Sequence, residues 1–316
     1  MSSRTIRLGG FYRSLPMVAA EEKGFYEDHG VEVDFGQVTS STQQFQYLSD
    51  GLYDVVQTSP DNTANYRSND RNPIGVRVDA QGFLGLDYGM LLVVVAQPDV
   101  KSVADLRGRT ISVDAFDSGF AYVIYKILAN HGLERDKDYT VVSTGGVYDR
   151  YVAMVDKGAD FAATLMSGGF ETRAANRGFN LLDSVHDIFD PYLGVWAAAK
   201  REWLRANSQL AVDFVTAYRA ASAWVFDPAN RDECLSMLER IPYTSPELAE
   251  QLYEIQLRPG VGNIPDGTID PEGVRNVLSL RIEFSGFEEP QDLDVLVGSG
   301  TELFDLRYLN ESSAAG

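Results

Sequence analysis

Short apolar segments alternate with amphipathic segments along the first ninety residues, and this alternation restricts the chain to folds built on a parallel sheet. Short apolar or alternating runs are typical of strands, and apolar residues three or four apart are typical of helices. Helices that separate successive strands imply right-handed crossovers between parallel strands. The predicted strands are Thr5–Gly9, Val31–Phe35 and Tyr53–Gln57, and the predicted helices are Leu15–Lys23, Thr42–Ser49 and Pro60–Tyr66.

The alternation starts again after Met90–Ala96, a run with no polar residue that is predicted to be a strand buried on both faces. The segments that follow predict a second α/β lobe, and from Glu202 onward the pattern is mainly helical. The predicted strands of this part are Thr110–Val113, Tyr139–Ser143 and Phe161–Leu165. The predicted helices are Val103–Leu106, Phe120–Asn130, Tyr148–Lys157, Trp203–Val225, Asp232–Ile241, Pro246–Gln256 and Pro271–Ser285.

The charge of the chain excludes some classes of partner. The 316 residues carry a net charge of −19, which opposes binding to nucleic acids and to anionic membranes. The acidity favours solubility, with a cleft biased toward cations as the alternative. The single cysteine, Cys234, cannot form an intrachain disulfide, and the three histidines lack the spacing of a zinc site. We therefore expect no metal and no cofactor.

The N-terminal segment predicts the compartment. Met1–Leu8 lacks the basic start, apolar core and small-residue cleavage site of a secretory signal. No uncharged run reaches the roughly 18 residues of a spanning helix, so we expect no insertion into a membrane. As written, the chain is expected to be cytoplasmic, and a processed form of it would be extracytoplasmic.

Four loops that connect a predicted strand to a predicted helix are candidates for the ligand site. Ligands of open α/β sheets bind beyond the carboxyl ends of the strands, where helix N–H groups are available. Ser and Asp in such loops also serve as helix caps, so each loop has a structural alternative. The loops are 9–14, 38–42, 57–62 and 114–119. Their candidate ligand contacts are Phe11, Tyr12, Arg13, Ser40, Ser41, Thr58, Ser59, Asp61, Asp114, Phe116, Asp117, Ser118 and Gly119.

The charge of the ligand stays open at this point. Arg13 could grip a carboxylate or a sulfonate with two hydrogen bonds, whereas Asp114 and Asp117 could select an amine or a ring N–H. Phe11 and Phe116 could stack on a flat ligand. Gly168, in a Gly-Gly pair, indicates either a close approach of the backbone to the ligand or a tight turn.

Several segments resemble one known family in order along the chain. Residues 16–34 read PMVAAEEKGFYEDHGVEVD, and further matches lie at Leu48–Val55, Val100–Asp114, Ala153–Ala162 and Phe304–Leu309. These segments resemble the SsuA/THI5-like, or NMT1-like, family, which includes proteins that bind sulfonates, taurine, nitrate and thiamine precursors.

The resemblance implies a type II periplasmic-binding-protein fold, with two α/β lobes, mixed but mainly parallel sheets and a two-strand hinge. Lobe one would comprise residues 1–93 and 194–316, and lobe two residues 94–193. The hinge strands would lie near Leu91–Ala96 and Leu193–Ala198. Members of the family deliver a small molecule to the permease of an ABC importer, which implies the same partners here.

The alternative function is a cytosolic enzyme on the same scaffold, namely a decarboxylase, a desulfinase-like enzyme or a lyase that acts on a small aromatic compound. The pyrimidine-synthesising and desulfinase enzymes of this fold use cysteine chemistry, but Cys234 lies in a predicted helix and the first loop holds no thiol. His186 would be the first candidate for a catalytic base, because its ordinary pKa lies near neutral pH. A ligand sensor is a third possibility.

Overall fold

Two five-stranded sheets organise the protein in the computed structural model, which describes residues 4–158, 160–242, 244–297 and 303–314. We call the part built on each sheet the first lobe and the second lobe. The strands of the first sheet, in spatial order, are β2 (Glu32–Gln37), β1 (Thr5–Gly10), β3 (Val55–Thr58), β10 (Val195–Lys200) and β4 (Ala80–Asp87). Those of the second sheet are β7 (Thr140–Ser143), β6 (Thr110–Val113), β8 (Ala163–Met166), β5 (Val93–Ala96) and β9 (Asn180–Ser184).

Each sheet is mainly parallel and contains one reversed strand. In the first sheet β1 runs parallel to β2 and β3, and β10 lies antiparallel between β3 and β4. In the second sheet β6 runs parallel to β7 and β8, and β5 lies antiparallel between β8 and β9. The reversed strands, β5 and β10, are the ones that the chain enters directly after it crosses from one sheet to the other.

Helices cover both sheets, with bounds close to the predicted ones. They are α1 (Leu15–Glu22), α2 (Phe25–Asp28), α3 (Ser41–Ser49), α4 (Pro60–Ser68), α5 (Gly119–Asn130), α6 (Val147–Tyr151), α7 (Phe170–Ala175), α8 (Arg201–Ala206), α9 (Ser208–Phe226), α10 (Arg231–Glu239), α11 (Pro246–Leu257), α12 (Pro271–Glu283), α13 (Leu293–Val297) and α14 (Arg307–Ala314). Within the described ranges, no helix combines the length and the apolar character that crossing a membrane requires.

Three predicted elements differ from the structure. The single helix predicted from Trp203 to Val225 is two helices, α8 and α9, which are separated at Asn207. The helix predicted at Tyr148–Lys157 is α-helical only to Tyr151 and continues as a wider π turn. The strand predicted at Met90–Ala96 begins at Val93, because Met90 and Leu91 have φ values of 50° and 56°, in the left-handed region. The chain turns there from one sheet toward the other.

Strand β4 was not predicted, and its packing explains why. Its sequence, AQGFLGLD, contains two glycines, which weaken a strand pattern. A Cβ atom on Gly82 would lie 2.4 Å from the ring of Trp196 in the neighbouring strand β10, so only glycine leaves room for this fully buried indole. Gly82 therefore weakens the strand pattern in the sequence and also makes room for Trp196 in the core. Strand β9 and the short helix α7 were also not predicted.

Candidate ligand-binding site

A cavity of about 910 Å³ lies between the two lobes, beyond the carboxyl ends of several strands. Its size falls within the roughly 300–1,000 Å³ that small-molecule sites usually have. The first lobe contributes the loops after β1 and β2 and parts of α10 and α11, and the second lobe contributes α6 and the segment after β8. The lining residues used below are Phe11, Tyr12, Arg13, Gln37, Thr39, Tyr148, Tyr151, Asp156, Gly168, Gly169, Phe170, Arg173, Arg177, Leu252 and Gln256.

The loop after β1 supplies three of the predicted contacts. Phe11, Tyr12 and Arg13 all line the cavity. The Tyr12 hydroxyl donates a hydrogen bond to Asp87 over 3.2 Å. The Arg13 guanidinium pairs with Glu21 of α1 and lies 5.0 Å from the centre of the Phe35 ring. Arg13 therefore forms an exposed ion pair with an acid of its own lobe, and its role as a clamp for an anionic ligand stays a prediction.

The loop after β2 reaches the cavity with residues other than the serines that we predicted. Gln37 and Thr39 line it, whereas Ser40 is exposed and accepts a hydrogen bond from the backbone N–H of Gln43 over 3.1 Å. Ser40 is thus the N-cap of α3, and Ser41 is the first residue of that helix. For Ser40 the structure therefore shows helix capping, which was the alternative to ligand binding in this loop.

The second lobe contributes a group of aromatic rings to the cavity. Tyr148 and Tyr151 of α6 flank Phe170 of α7, with ring centres 6.1 Å and 5.5 Å from that of Phe170. Tyr148 is 64% exposed, so its ring is accessible from the cavity. Buried Arg150 fixes the loop before α6 by donating to the carbonyl oxygens of Gly145 and Leu165.

Gly168 and Gly169 lie beside these rings, in the turn between β8 and α7 where the second lobe meets the first. Their φ values are 68° and 92°, in the left-handed region that favours glycine. A Cβ atom on Gly169 would lie 2.5 Å from Leu252 of α11, whereas one on Gly168 would meet only Tyr12, at 4.0 Å. Gly169 therefore packs against α11 of the first lobe, whereas the close approach of the Gly168 backbone to a ligand stays a prediction.

Alanine substitutions at the two glycines should separate backbone strain from contact between the lobes. Both changes place a side chain at positive φ, which costs about 1–2 kcal/mol at each position. Gly169→Ala should cost about 0.5–1.5 kcal/mol more than Gly168→Ala, because only its methyl group overlaps the end of the Leu252 side chain, which must leave its rotamer. Urea unfolding measures the difference, and equal losses for the two variants would contradict this description of the contact.

Two buried carboxyl groups lie directly behind the lining. Asp87 accepts hydrogen bonds from Tyr12 and from the Gly89 N–H, and Glu171 accepts from the Gly169 N–H and the Thr172 hydroxyl. Burial raises the pKa of Asp87 to about 7 and that of Glu171 to about 7. Among the described residues neither carboxylate forms an ion pair with a lysine, arginine or histidine. Burial also raises the pKa of Tyr12, and the negative charges of Asp87 and Glu171 raise it further.

The other two predicted loops meet each other at a separate junction between the lobes. Asp61, at the start of α4, forms a buried ion pair with Arg281 of α12, with N–O distances of 2.6 and 2.8 Å. The same guanidinium donates to the backbone oxygen of Asp117 in the second lobe over 3.0 Å and lies 5.2 Å from the centre of the Tyr122 ring. Gly119 packs directly against Asp61, since a Cβ atom there would lie 2.7 Å from its carboxyl group. We call this contact the Arg281 junction.

None of the described residues that line the cavity comes from loops 57–62 and 114–119. Their polar side chains serve local structure instead. Ser59 and Ser118 are N-caps that accept from Asn62 N–H and Ala121 N–H, Thr58 accepts from the Asn62 amide, and Asp114 accepts from Ser118. Phe116 is 44% exposed outside the cavity, with Arg135 near its ring. The ligand contacts predicted in these two loops remain predictions without a place in the cavity.

The candidate catalytic residues also lie away from the cavity lining. His186 is part of a 3₁₀ turn before the second crossing, and burial lowers its pKa. Cys234 is buried in α10, and burial raises the pKa of its thiol to about 11. Within the described part of the chain, no group of three His, Cys, Asp or Glu side chains is arranged to hold a metal ion.

Comparison with protein families identifies the chain. A family model described as NMT1/THI5 like matches residues 12–230, more than half of the sequence. The chain belongs to the NMT1/THI5-like family. No curated protein sequence gives a significant match to this family member.

Solved structures confirm the fold class of this NMT1/THI5-like protein. The nitrate-binding protein NrtA of Synechocystis PCC 6803 has a TM-score of 0.79 at 14% identity, covering 99% of this chain and 89% of NrtA. A protein from Bordetella bronchiseptica RB50 has a TM-score of 0.77 at 20% identity, covering 99% of this chain and 98% of the Bordetella protein. The aliphatic sulphonate binding protein SsuA of Escherichia coli has a TM-score of 0.68 at 17% identity, covering 92% of this chain and 91% of SsuA. At these identities the likeness shows the periplasmic-binding-protein fold with its two lobes.

Two lining residues of this family member that were not predicted lie at strand ends, as the predicted loops do. Tyr148 comes shortly after β7 and Phe170 shortly after β8, so both lie at the carboxyl ends of strands. That signal could have identified them. Leu252 and Gln256 of α11 carried no such signal, because they belong to a helix that is distant in sequence from every lobe-two strand.

Proposed function

We propose that this protein is the solute-binding component of an ABC-type importer and that it holds a small organic molecule in the cavity without a covalent step. The observation that carries the proposal is a cavity of about 910 Å³ that residues of both lobes line. A ligand in such a site contacts both lobes only when they are together, so its binding energy favours the closed state.

The lining chemistry supports binding over catalysis. Of the described lining residues none is a histidine or a cysteine, the two residue types that the enzyme alternative would use first. His186 and Cys234 lie elsewhere, and the raised pKa of the buried Cys234 thiol keeps it protonated near neutral pH.

The size of the cavity supports an organic molecule over a small inorganic anion. An ion such as nitrate would fill only a small part of about 910 Å³ and would leave the aromatic rings without a contact. Apolar and aromatic lining with a few polar groups is typical of sites for drug-sized ligands.

The lobe boundaries remain part of this proposal. Residues 1–93 and 194–316 would move as one body and residues 94–193 as the other, with the two crossings between the sheets as the hinge. The Gly194 N–H donates to the Asp87 carbonyl over 3.0 Å, so the two crossings are tied to each other at Asp87. The permease would be the partner of the closed form, which places the working protein outside the cytoplasmic membrane.

A thermal-shift screen against sulfonates, aromatic acids, pyrimidines, flavins and amines would test the proposal. A ligand at 100 times its Kd should stabilise the protein by about 2.7 kcal/mol, which is a clear rise in Tm. Incubation of each hit with the protein, followed by chromatography, distinguishes the two functions. Unchanged recovery of the compound supports binding, whereas conversion to a product would refute the proposal in favour of the enzyme.

Tyr148→Ala should weaken the best hit of that screen by about tenfold, because aromatic stacking contributes roughly 0.5–1.5 kcal/mol beyond the buried area. Phe116→Ala is the matched control, since Phe116 is an exposed aromatic residue of the same lobe outside the cavity lining. Calorimetric titration measures both. A larger effect at Phe116 would place the ligand at loop 114–119 instead, and equal effects would contradict a contact that is specific to Tyr148.

A further inference from the structure

We infer that the ligand of the cavity is a planar aromatic compound that carries a positive charge. This inference rests on the proposed function and names the ligand class of the same site. Three features of the site support the inference. They are the aromatic lining, the buried carboxyl groups behind that lining, and the hydrogen bonds and ion pairs that the lining arginines already form.

Aromatic rings reach the cavity from both lobes. Phe11 and Tyr12 belong to the first lobe, and Tyr148, Tyr151 and Phe170 belong to the second. The faces of such rings carry partial negative charge, so they attract a cation as well as stack on a flat ring. Because Tyr148 is largely exposed, its ring remains available for a ligand.

The buried carboxyl groups of Asp87 and Glu171 provide negative charge without a positive partner. Both influence the Tyr12 phenol that lines the cavity, and Asp87 also faces the buried phenols of Tyr218 in α9 and Tyr192 in the second crossing. Neither group has a described basic residue in ion-pair contact. Burial of a carboxylate is costly unless an opposite charge compensates it, and a cationic ligand beside Tyr12 would supply that charge.

The arginines of the lining already have partners. Arg13 pairs with Glu21, Arg177 lies 3.0 Å from the carboxylate of Asp156, and Arg173 donates to the Thr244 hydroxyl over 2.8 Å. An anionic ligand would have to compete with these contacts. A cation needs none of these donors, although it lies in the same cavity as the Arg173 guanidinium, whose partner Thr244 is neutral. The net charge of −19 raises the concentration of a cation near the protein.

Three bicyclic probes of similar shape and different charge test the inference. They are N-methylquinolinium, N-methyl-2-quinolone and 1-naphthalenesulfonate, which are cationic, neutral and anionic, and calorimetric titration measures their affinities for the full chain. We expect the cation to bind at least about tenfold more tightly than the neutral probe, and the sulfonate to bind most weakly. The affinity for the cation should rise between about pH 6 and pH 8, since the bound charge favours the ionised carboxylates.

Variants identify the source of the charge preference. Glu171→Gln and Asp87→Asn should each lower the ratio of cation affinity to neutral-probe affinity by about three- to tenfold. Glu289→Gln removes the same charge from an exposed position outside the lining and should leave the ratio unchanged.

The outcomes separate this inference from the proposed function. Tighter or equal binding of the sulfonate would overturn the cationic ligand and leave the solute-binding function intact. A preference for the cation that neither cavity variant reduces would also overturn the inference, because the charge would then come from the surface. If none of the three probes binds and no compound of the screen does, both proposals fail.

Discussion

Replacing Arg281 with methionine is expected to lower the free energy of unfolding by about 3–5 kcal/mol, the usual cost of breaking a buried ion pair. The Arg281 and Asp61 side chains are 2% and 1% exposed. The remaining donors of the guanidinium bind Asn65, the Gly286 carbonyl and the Asp117 carbonyl. Methionine would fill much of the volume but would leave the Asp61 carboxylate buried without a counter-charge. Urea unfolding at neutral pH measures the loss.

A second substitution tests the cause of that loss. Because the cost arises from the unpaired carboxylate, Arg281→Met combined with Asp61→Asn should be about 1–3 kcal/mol more stable than Arg281→Met alone. Arg77→Met is the matched control, since Arg77 pairs with Asp70 on the surface, where both side chains are more than half exposed. No measurable change is expected there. A double variant as unstable as the single one would show that packing at Tyr122, and not charge, accounts for the loss.

The ligand-free protein is expected to lose stability as the pH rises from about 5 to 8. The pKa values of Asp87 and Glu171 are about 7 in the folded protein, above their ordinary values of 3.8 and 4.5. Between those limits the folded state binds more protons than the unfolded state, so stability falls with rising pH and levels off above about pH 7. At 1.36 kcal/mol per pKa unit, each carboxyl group should contribute roughly 2–3 kcal/mol over this range.

Substitution separates this effect from the general repulsion of an acidic protein. Asp87→Asn and Glu171→Gln should flatten the profile and should be more stable than the parent at pH 8, because neither amide can become charged. Glu289→Gln should leave the slope as it is. Urea unfolding at a series of pH values measures the slope, and a parent protein that gains stability from pH 5 to 8 would refute the prediction. The lowered pKa values of Asp70 and Asp105 act in the opposite direction, but only in the acid range near and below their ordinary values. The lowered pKa of His186 also acts in the opposite direction, near and below its ordinary value of 6.5, so the Asp87 and Glu171 variants isolate the contribution of the two carboxyl groups.

Much of the fold could be predicted from local patterns. The restart of the alternation after Ala96 corresponds to the second sheet, and most predicted elements are present within a few residues of their bounds. Strand β4 could not be predicted, because Gly82 makes room for Trp196 and so interrupts the apolar pattern that marks a strand. The division of the predicted long helix at Asn207 could not be predicted either, because no proline or glycine marks it in the sequence.

The candidate site could be predicted only in part. Strand-end chemistry identified Phe11, Tyr12, Arg13 and Gly168, which line the cavity. The same rule selected Asp61 and Asp117, yet these lie at the Arg281 junction. The position of a strand end identifies a loop at the edge of a sheet. It does not show whether another segment of the chain covers that loop in the folded protein.

The amino-acid sequence by itself determined the alternating strands and helices, the helix caps and the polar and aromatic character of the loops, because these depend on residues close together in the chain. The tertiary structure alone decided which loops surround the cavity. Arg281 lies 220 residues from Asp61 along the chain and reaches it only after α12 packs across both lobes. The burial of Asp87 and Glu171, and hence their raised pKa values, likewise arises only in the folded chain, where Asp87 packs beside Tyr12 and Glu171 accepts from the Gly169 N–H.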